Sequence, residues 1–473
     1  MDAGGLSRIL SAVAALALAA FGGCANPGAD ERRDHAAAFR DRLLDETESV
    51  LRDLGGVMTL SNAVELAHSR TLKLVSANLE AELARINRAK AFSAFLPSVE
   101  LAYSPGLLRG EASSLPIVSA QSTGTTELGL AAATIAQPVF TPVAWTMFAE
   151  SLYGVRIQEL VREHAARLLD IKVAALFCRA AVAERQKSAY ELQLDSAREL
   201  TNRVSRLRRE GYATEVDLKR AEIRFAQARL GLVEACDSLD RARAELCEIL
   251  DLWPLARFRV DGDSLLTLAP PEELSAAEWT WRALLTRLDL YAGDQLLELR
   301  KAQVVETLAA FLPNIMLGGG AARLSIEDVA LSAGVGSLTG VWSVFSGFRT
   351  VQDYRAAKAR REAEFKLQED RMLAVVVAVA DAWRVHRAAR LRADTARLAL
   401  AGATLDHRAA ERRFEEGQET FSAVLDKLVV RSEAEVAVAS TDYAAALAAL
   451  MLREAVGEEL FARKEEKSDA EKP

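Results

Sequence analysis

"AAFLPNIMLGGGA", residues 309–321, repeats an arrangement met earlier in the chain as "SAFLPSVELAYSP", residues 93–105; the two Phe-Leu-Pro triplets stand 216 residues apart. In both places an alanine-rich run leads into the proline, and residues alternating apolar and small follow it. Proline cannot continue a helical hydrogen-bond ladder. Each stretch therefore reads as a helix stopping at a strand, with Pro97 and Pro313 as the breaks. Two such stretches in 473 residues call for a repeat reading before any domain count.

Working outward, Ala63, Leu66, Ala67, Leu74, Ala77, Ala81 and Ala84 fall at three- and four-residue steps, and the pattern predicts one helix from Leu60 to about Phe95. Beyond Pro97 the period becomes two. Val99, Leu101 and Tyr103 mark one strand, a loop spans 104–125, and Leu128, Leu130, Ala132, Thr134 and Ala136 share a face of the next. The second half repeats this with Ile315, Leu317 and Gly319, then Val329, Leu331, Ala333, Val335, Ser337, Thr339 and Val341. Each strand is near the ~10 residues of a tilted membrane-spanning strand.

Uninterrupted helical runs follow each hairpin, about 142–210 and about 347–416, ending at "RREGYAT" (208–214) and "FEEGQET" (414–420). Gly211 and Gly417 supply the left-handed conformation that stops a helix. Shorter helices return over about 214–250 and 420–457. In the first, Leu218, Ala221, Phe225, Ala228, Leu232, Ala235, Leu239, Ala242 and Leu246 form a heptad seam. At 1.5 Å per residue the long helices reach about 100 Å. Such a rod offers no catalytic cleft.

The N-terminus carries Arg8, then "ILSAVAALALAAF" (9–21) and "GGCA" (22–25), a pattern similar to a lipoprotein signal with Cys24 as the acylated residue. The expected organisation is a signal peptide (1–23), a lipid-anchored tether (24–58), a first repeat (59–258), a linker (259–274), a second repeat (275–460) and a charged tail (461–473). Beyond Cys24 no run reaches the ~20 apolar residues of a spanning helix, so a membrane crossing falls to the strands. Hydrophobic residues make up 50% of the chain but aromatics only 6%, which suits closely packed, alanine-lined helices. A net charge of −8 leaves no footprint for nucleic acid.

The duplicated helix, "FLP", hairpin, helix plan, the "QPVF" (137–140) and "WSVFSG" (342–347) segments and the glycine tips together resemble the TolC-type outer-membrane efflux family, over about residues 59–460. The resemblance implies a mainly α fold with a small β part. Long antiparallel helical hairpins form an α-barrel, and four strands per chain complete a 12-stranded barrel in a homotrimer. It implies three kinds of partner: a periplasmic adaptor (membrane fusion protein), an inner-membrane pump and outer-membrane lipid. The function implied is a passive exit duct of a tripartite efflux or type I secretion system, with no cofactor. The competing reading is a pore-less periplasmic coiled-coil lipoprotein.

In that family, carboxylates six and nine residues beyond the second tip glycine can ring the channel mouth. Here those positions hold Ala423 and Asp426, so Asp426 alone matches, and it serves either as a mouth ring or as a solvated helix acid. Arg208, Arg209 and Gly211 at a basic tip, and Glu415, Glu416, Gly417 and Glu419 at an acidic one, are candidate adaptor-docking residues or solubilising turns. Cys178 and Cys247 stand level across the first tip and are either a disulfide or buried thiols. On the long helix, Ile157, Leu160, Leu168, Ile171, Ala175, Cys178 and Val182 are expected to form the packed stripe. The five histidines lack metal-ligand spacing, "GGGA" (318–321) lacks the Lys-Ser/Thr of a phosphate loop, and no catalytic constellation or metal site is expected. Trp342 and Phe345 end a strand, at the interface with lipid or in ordinary packing.

Overall fold

The computed structural model describes residues 29–109, 125–211, 213–267, 272–326 and 329–461. The expected signal segment, Cys24 and residues 462–473 of the expected tail lie outside these described residues. The chain divides into two units, one formed by the described residues up to Ala63 with Arg179–Asp261, the other by Val64–Cys178 with the described residues from Gly262 onward.

In the smaller unit, helix α1 (Ala29–Asp53) occupies most of the segment the sequence suggests as a tether. Thr47 of α1 is buried, and its hydroxyl accepts from the Trp253 N–H at 2.8 Å. Gly55 and Gly56, both at positive φ, turn the chain into β1 (Val57–Met58), which pairs in parallel with β4 (Arg259–Val260). Part of the expected linker is thus paired backbone. The second half of α4 (Pro142–Arg209) and all of α5 (Glu215–Ile249) belong to this unit. Along α5 the predicted seam faces inward: Leu218, Ala221, Ala235, Leu239, Ala242 and Leu246 are buried, and Phe225, Ala228 and Leu232 half-buried. Each buried leucine contributes roughly 1.5–3 kcal/mol. Small residues set the spacing, since a Cβ on Gly231 would lie 2.6 Å from the Tyr190 ring.

The larger unit takes up most of α2 (Leu60–Arg70), then α3 (Leu72–Ser93), β2 (Ser98–Arg109), β3 (Thr125–Phe140) and the first half of α4. It continues with a 3-10 turn (Gly262–Leu265), α6 (Ala276–Thr286), α7 (Leu288–Ala309), β5 (Asn314–Ile326), β6 (Val329–Val341), α8 (Arg349–Glu415) and α9 (Phe421–Val456). The order helix, helix, strand, strand, long helix, shorter helix therefore occurs twice along the chain. The four long strands form one antiparallel sheet in the order β2-β3-β5-β6.

Where periodicity predicts a single helix before each proline, the structure has two. Thr71 (φ −60°, ψ 120°) separates α2 from α3, and Arg287 (φ −73°, ψ 130°) separates α6 from α7. One extended residue re-aims the helix without disturbing the three-to-four spacing of apolar positions, so the break is silent in a periodicity count. The second break has a visible purpose. The last carbonyls of α9 have no intrahelical partner; Arg287 Nη1 donates to Ala455 O at 2.8 Å, Thr286 Oγ1 to Val456 O and Arg167 Nη1 to Gly457 O. Two cations thus meet the negative end of the helix dipole. Gly457 sits at φ +88°, and a Cβ there would come within 3.0 Å of Arg287 Cα. Around this junction Trp279, Ala283, Leu290, Val375, Val379, Leu452 and Val456 make a continuous core.

Two other expectations need correcting. One helix, Ser422–Val456, is long and apolar enough to cross a membrane by length and composition. Its alanines and valines give it that character; Tyr443, Ala448, Leu450 and Leu452 are buried within the unit. Of the expected stripe on α4, Leu160 and Cys178 are buried and Ile157, Ile171, Ala175 and Val182 half-buried, but Leu168 is 48% exposed; Ala166, Leu169, Val173, Ala174 and Phe177 are buried as well.

Candidate functional site

Both Phe-Leu-Pro segments fold alike. After α3, Phe95 N–H bonds Phe92 O (3.0 Å) and Leu96 N–H bonds Ser93 O (3.0 Å); after α7, Phe311 N–H bonds Leu308 O (3.1 Å) and Leu312 N–H bonds Ala309 O (3.0 Å). The last turn tightens, and Pro97 or Pro313 then releases the chain into a strand. The carbonyl of each phenylalanine is capped by a side chain at the far end of the hairpin, Gln137 Nε2 near the end of β3 on Phe95 O (2.8 Å) and Trp342 Nε1 directly after β6 on Phe311 O (2.9 Å). Aromatic rings gather at these junctions. Phe95 and Phe148 meet edge to face at 6.0 Å, Phe140 and Trp145 at 5.4 Å, and Phe345 and Phe348 at 5.4 Å.

The strand register sorts the side chains into two faces. Cross-strand rows Val99, Ile135, Gly319, Gly336 and Leu101, Ala133, Ala321, Gly334 lie on one face, together with Tyr103, Ala131, Arg323, Ser332. The other face carries Glu100, Thr134, Gly320, Val335 and, farther along, Ser104, Leu130, Leu324, Leu331. The apolar sets read from the sequence for β2 and β5 therefore share one face, while Leu130 of β3 and Leu331 of β6 belong to the opposite one. Single-strand alternation could not reveal this, because it fixes which residues share a face within a strand but not across strands. Glycine at 318–320 allows β5 to approach its neighbours; a Cβ on Gly320 would stand 3.1 Å from Ala133 O.

At the first helical tip Gly211 has φ +84°, and at the second Gly417 has φ +74°. Each is followed three residues later by a threonine that caps the returning helix. Thr214 and Asp217 form a complete capping box on α5, which holds the Asp217 carboxyl below its ordinary range through bonds from the Thr214 hydroxyl (2.6 Å) and N–H (3.0 Å). Thr420 accepts from Ala423 N–H at 3.3 Å on α9, but alanine there returns nothing. Charges are balanced locally. Arg208 pairs with Glu215 at 2.5 Å, and Arg413 lies 3.8 Å from Glu419. Asp426 is exposed one turn into α9, beside Lys427, whose Nζ reaches Asp406 at 3.5 Å. Arg209, Glu415 and Glu416 are exposed.

Titratable groups sequence reasoning passed over lie along the helices. The Glu150 carboxyl on α4 is pushed up to about 7, mainly by burial, then by the charge and hydrogen bond of Glu306 on α7; Gln303 and Arg300 pull it partly back. His68 meets the buried Asp170, and His407 is buried 3.7 Å from Glu411. Burial lowers the His386 pKa, with Arg390 adding to it. Cys178, Cys236 and Cys247 are free thiols; burial pushes Cys178 up to about 11 and Cys247 up to about 12. Among the described residues no group of His, Cys, Asp or Glu is arranged to hold a metal ion.

The description of the outer membrane efflux protein family matches residues 63–251 and 279–458. Protein CyaE of Bordetella pertussis is 26% identical over 351 residues, which covers 70% of this chain and 70% of CyaE. The fold is similar to the CmeC outer membrane channel of Campylobacter jejuni, with a TM-score of 0.68 at 18% identity over 84% of this chain and 85% of that one. It is also similar to the open state of the MtrE outer membrane channel of Neisseria gonorrhoeae, with a TM-score of 0.67 at 20% identity over 85% of this chain and 89% of that one. With the duplicated strand-and-helix plan and a family match across both halves, the chain belongs to the outer membrane efflux protein family, whose members are transport ducts and not enzymes.

Proposed function

We propose that three copies of this chain close a 12-stranded barrel in the outer membrane and form a passive exit duct, joined through a periplasmic adaptor to an inner-membrane pump in a tripartite efflux or type I secretion system. The observation that carries the reading is the four-stranded sheet, which ends in β2 on one side and β6 on the other. Four strands cannot close a barrel, and edge N–H and C=O groups in lipid cost several kcal/mol each. Pairing β2 of one copy with β6 of the next satisfies them. In this account Cys24 carries the lipid anchor, the turns at Gly211 and Gly417 dock the adaptor, and Asp426 contributes one carboxylate per copy to a ring at the periplasmic mouth. Native mass spectrometry of the mature protein in detergent tests the assembly. Three chains per particle are expected; a monomer that keeps its folded strands would overturn it.

A further inference from the structure

We infer that Arg323 lines the lumen of the barrel, where its copies form a cationic ring toward the exterior end that sets the charge preference of the duct. This rests on the barrel reading above and goes beyond it. Arg323 stands ten residues beyond Pro313 on β5, in a row with Tyr103, Ala131 and Ser332 on one face of the sheet. At ~3.4 Å per residue and a tilt of about 45°, it lies roughly 20–25 Å of depth from the helical end. A lipid-facing charge costs ~2–4 kcal/mol at mid-depth but only ~0–1 kcal/mol near an interface, so at this depth the residues around Arg323 decide which face it lies on. The adjacent row on the opposite face reads Leu130, Leu324 and Leu331, with Leu331 58% exposed. Those leucines suit lipid, so the Arg323 face is the inner one. Ser325, whose hydroxyl donates to Gly129 O at 3.2 Å, lies on the same face, next along β5. Glu100, on the lipid face, stands only three residues from Pro97, at the rim where a carboxylate still reaches water.

The same assignment gives the lumen an apolar stretch nearer the helices, where Val99, Leu101, Ile135, Leu317 and Leu338 share the Arg323 face. From the helical side, Arg323 is the first charged position that the register places on this face, and Glu127 follows two rows farther out. A fixed positive ring attracts anions and repels cations over a Debye length of about 8–10 Å.

The test is a reversal-potential measurement on the mature trimer in planar bilayers across a potassium chloride gradient, with wild type, Arg323→Gln and Arg323→Glu. The potassium-to-chloride permeability ratio is expected to rise in that order, by a factor on the order of two to five overall. A second readout guards against misassembly. An anionic thiol reagent should cut the conductance of Arg323→Cys and leave both Leu324→Cys and wild type unchanged. Wild-type permeability ratios in both charge variants, or equal block at positions 323 and 324, would overturn the ring while leaving the duct intact. A wild-type trimer that never conducts, even with its tips loosened, would remove the duct and the ring together.

Discussion

Gln137 and Trp342 do the same work from different positions in their hairpins: each donates one hydrogen bond to the carbonyl of the phenylalanine in a Phe-Leu-Pro turn, at 2.8 Å and 2.9 Å. The helix-to-strand turn leaves that carbonyl without a backbone partner, and both halves solve the same problem with the donor at hand. Because Gln137 is half-buried and Trp342 is 62% exposed, water can replace the indole but not the amide. Gln137→Leu is expected to cost about 1–3 kcal/mol and Trp342→Phe about 0.5–1 kcal/mol. Urea midpoints of the two variants in detergent check the order.

The end of α9 depends on a residue that must be small. Gly457→Ala forces a Cβ against Arg287 Cα at a left-handed φ, which should cost about 1–3 kcal/mol. Arg287→Met removes the cap on Ala455 and strands Asp289, whose carboxylate it holds at 2.6 Å, at a similar or larger cost of about 2–4 kcal/mol. Thermal unfolding of both variants would show it; an unchanged midpoint for Gly457→Ala would mean the junction is not packed as described.

The two tips should respond unequally to loss of their caps. Thr214→Ala breaks a reciprocal box, whereas Thr420→Ala loses one bond, so losses of about 1–2 and about 0.5–1 kcal/mol are expected. Hydrogen exchange at Glu215–Leu218 and at Ser422–Leu425 reads each tip separately.

Glu150 gives the helical part a pH dependence. Its folded pKa of about 7 lies above the ordinary 4.5, so the folded state favours the protonated form. The associated stability is fully present below the unfolded value and is lost as pH rises from about 4.5 through 7. Partial exposure and sharing of the proton with Glu306 reduce the effect to about 1–2 kcal/mol. Glu150→Gln should flatten stability across that window, as measured by urea midpoints between pH 4.5 and 8. An unchanged slope would show that the pair is fully solvated.

Much of the fold was legible in the sequence because its signals are local. Pro97 and Pro313, the glycines at 211 and 417 and the α5 seam each act within a few residues, and helix ends at Arg209, Ile249, Glu415 and Val456 fall within a residue or two of expectation. The breaks at Thr71 and Arg287 were not legible, since an extended residue with no proline or glycine leaves no mark on apolar spacing. The helix over Ala29–Asp53 was missed because its polar surface offers no stripe to count. The site fared less well for the same reason. The face on which Arg323 lies is a property of cross-strand register, and the Glu150–Glu306 pair joins residues 156 positions apart in sequence; neither relationship exists within any window of the sequence.

A duct assembled from this chain must hold a water-filled path across the outer membrane. Single-channel recording of reconstituted mature protein in planar bilayers, wild type beside Asp426→Ala, tests it most directly. Discrete conductance steps are expected, and the proposed mouth ring predicts a larger or more persistent open level in Asp426→Ala. Well-inserted trimers that show no steps in either form, even after the tips are loosened by mild denaturant, would contradict the duct.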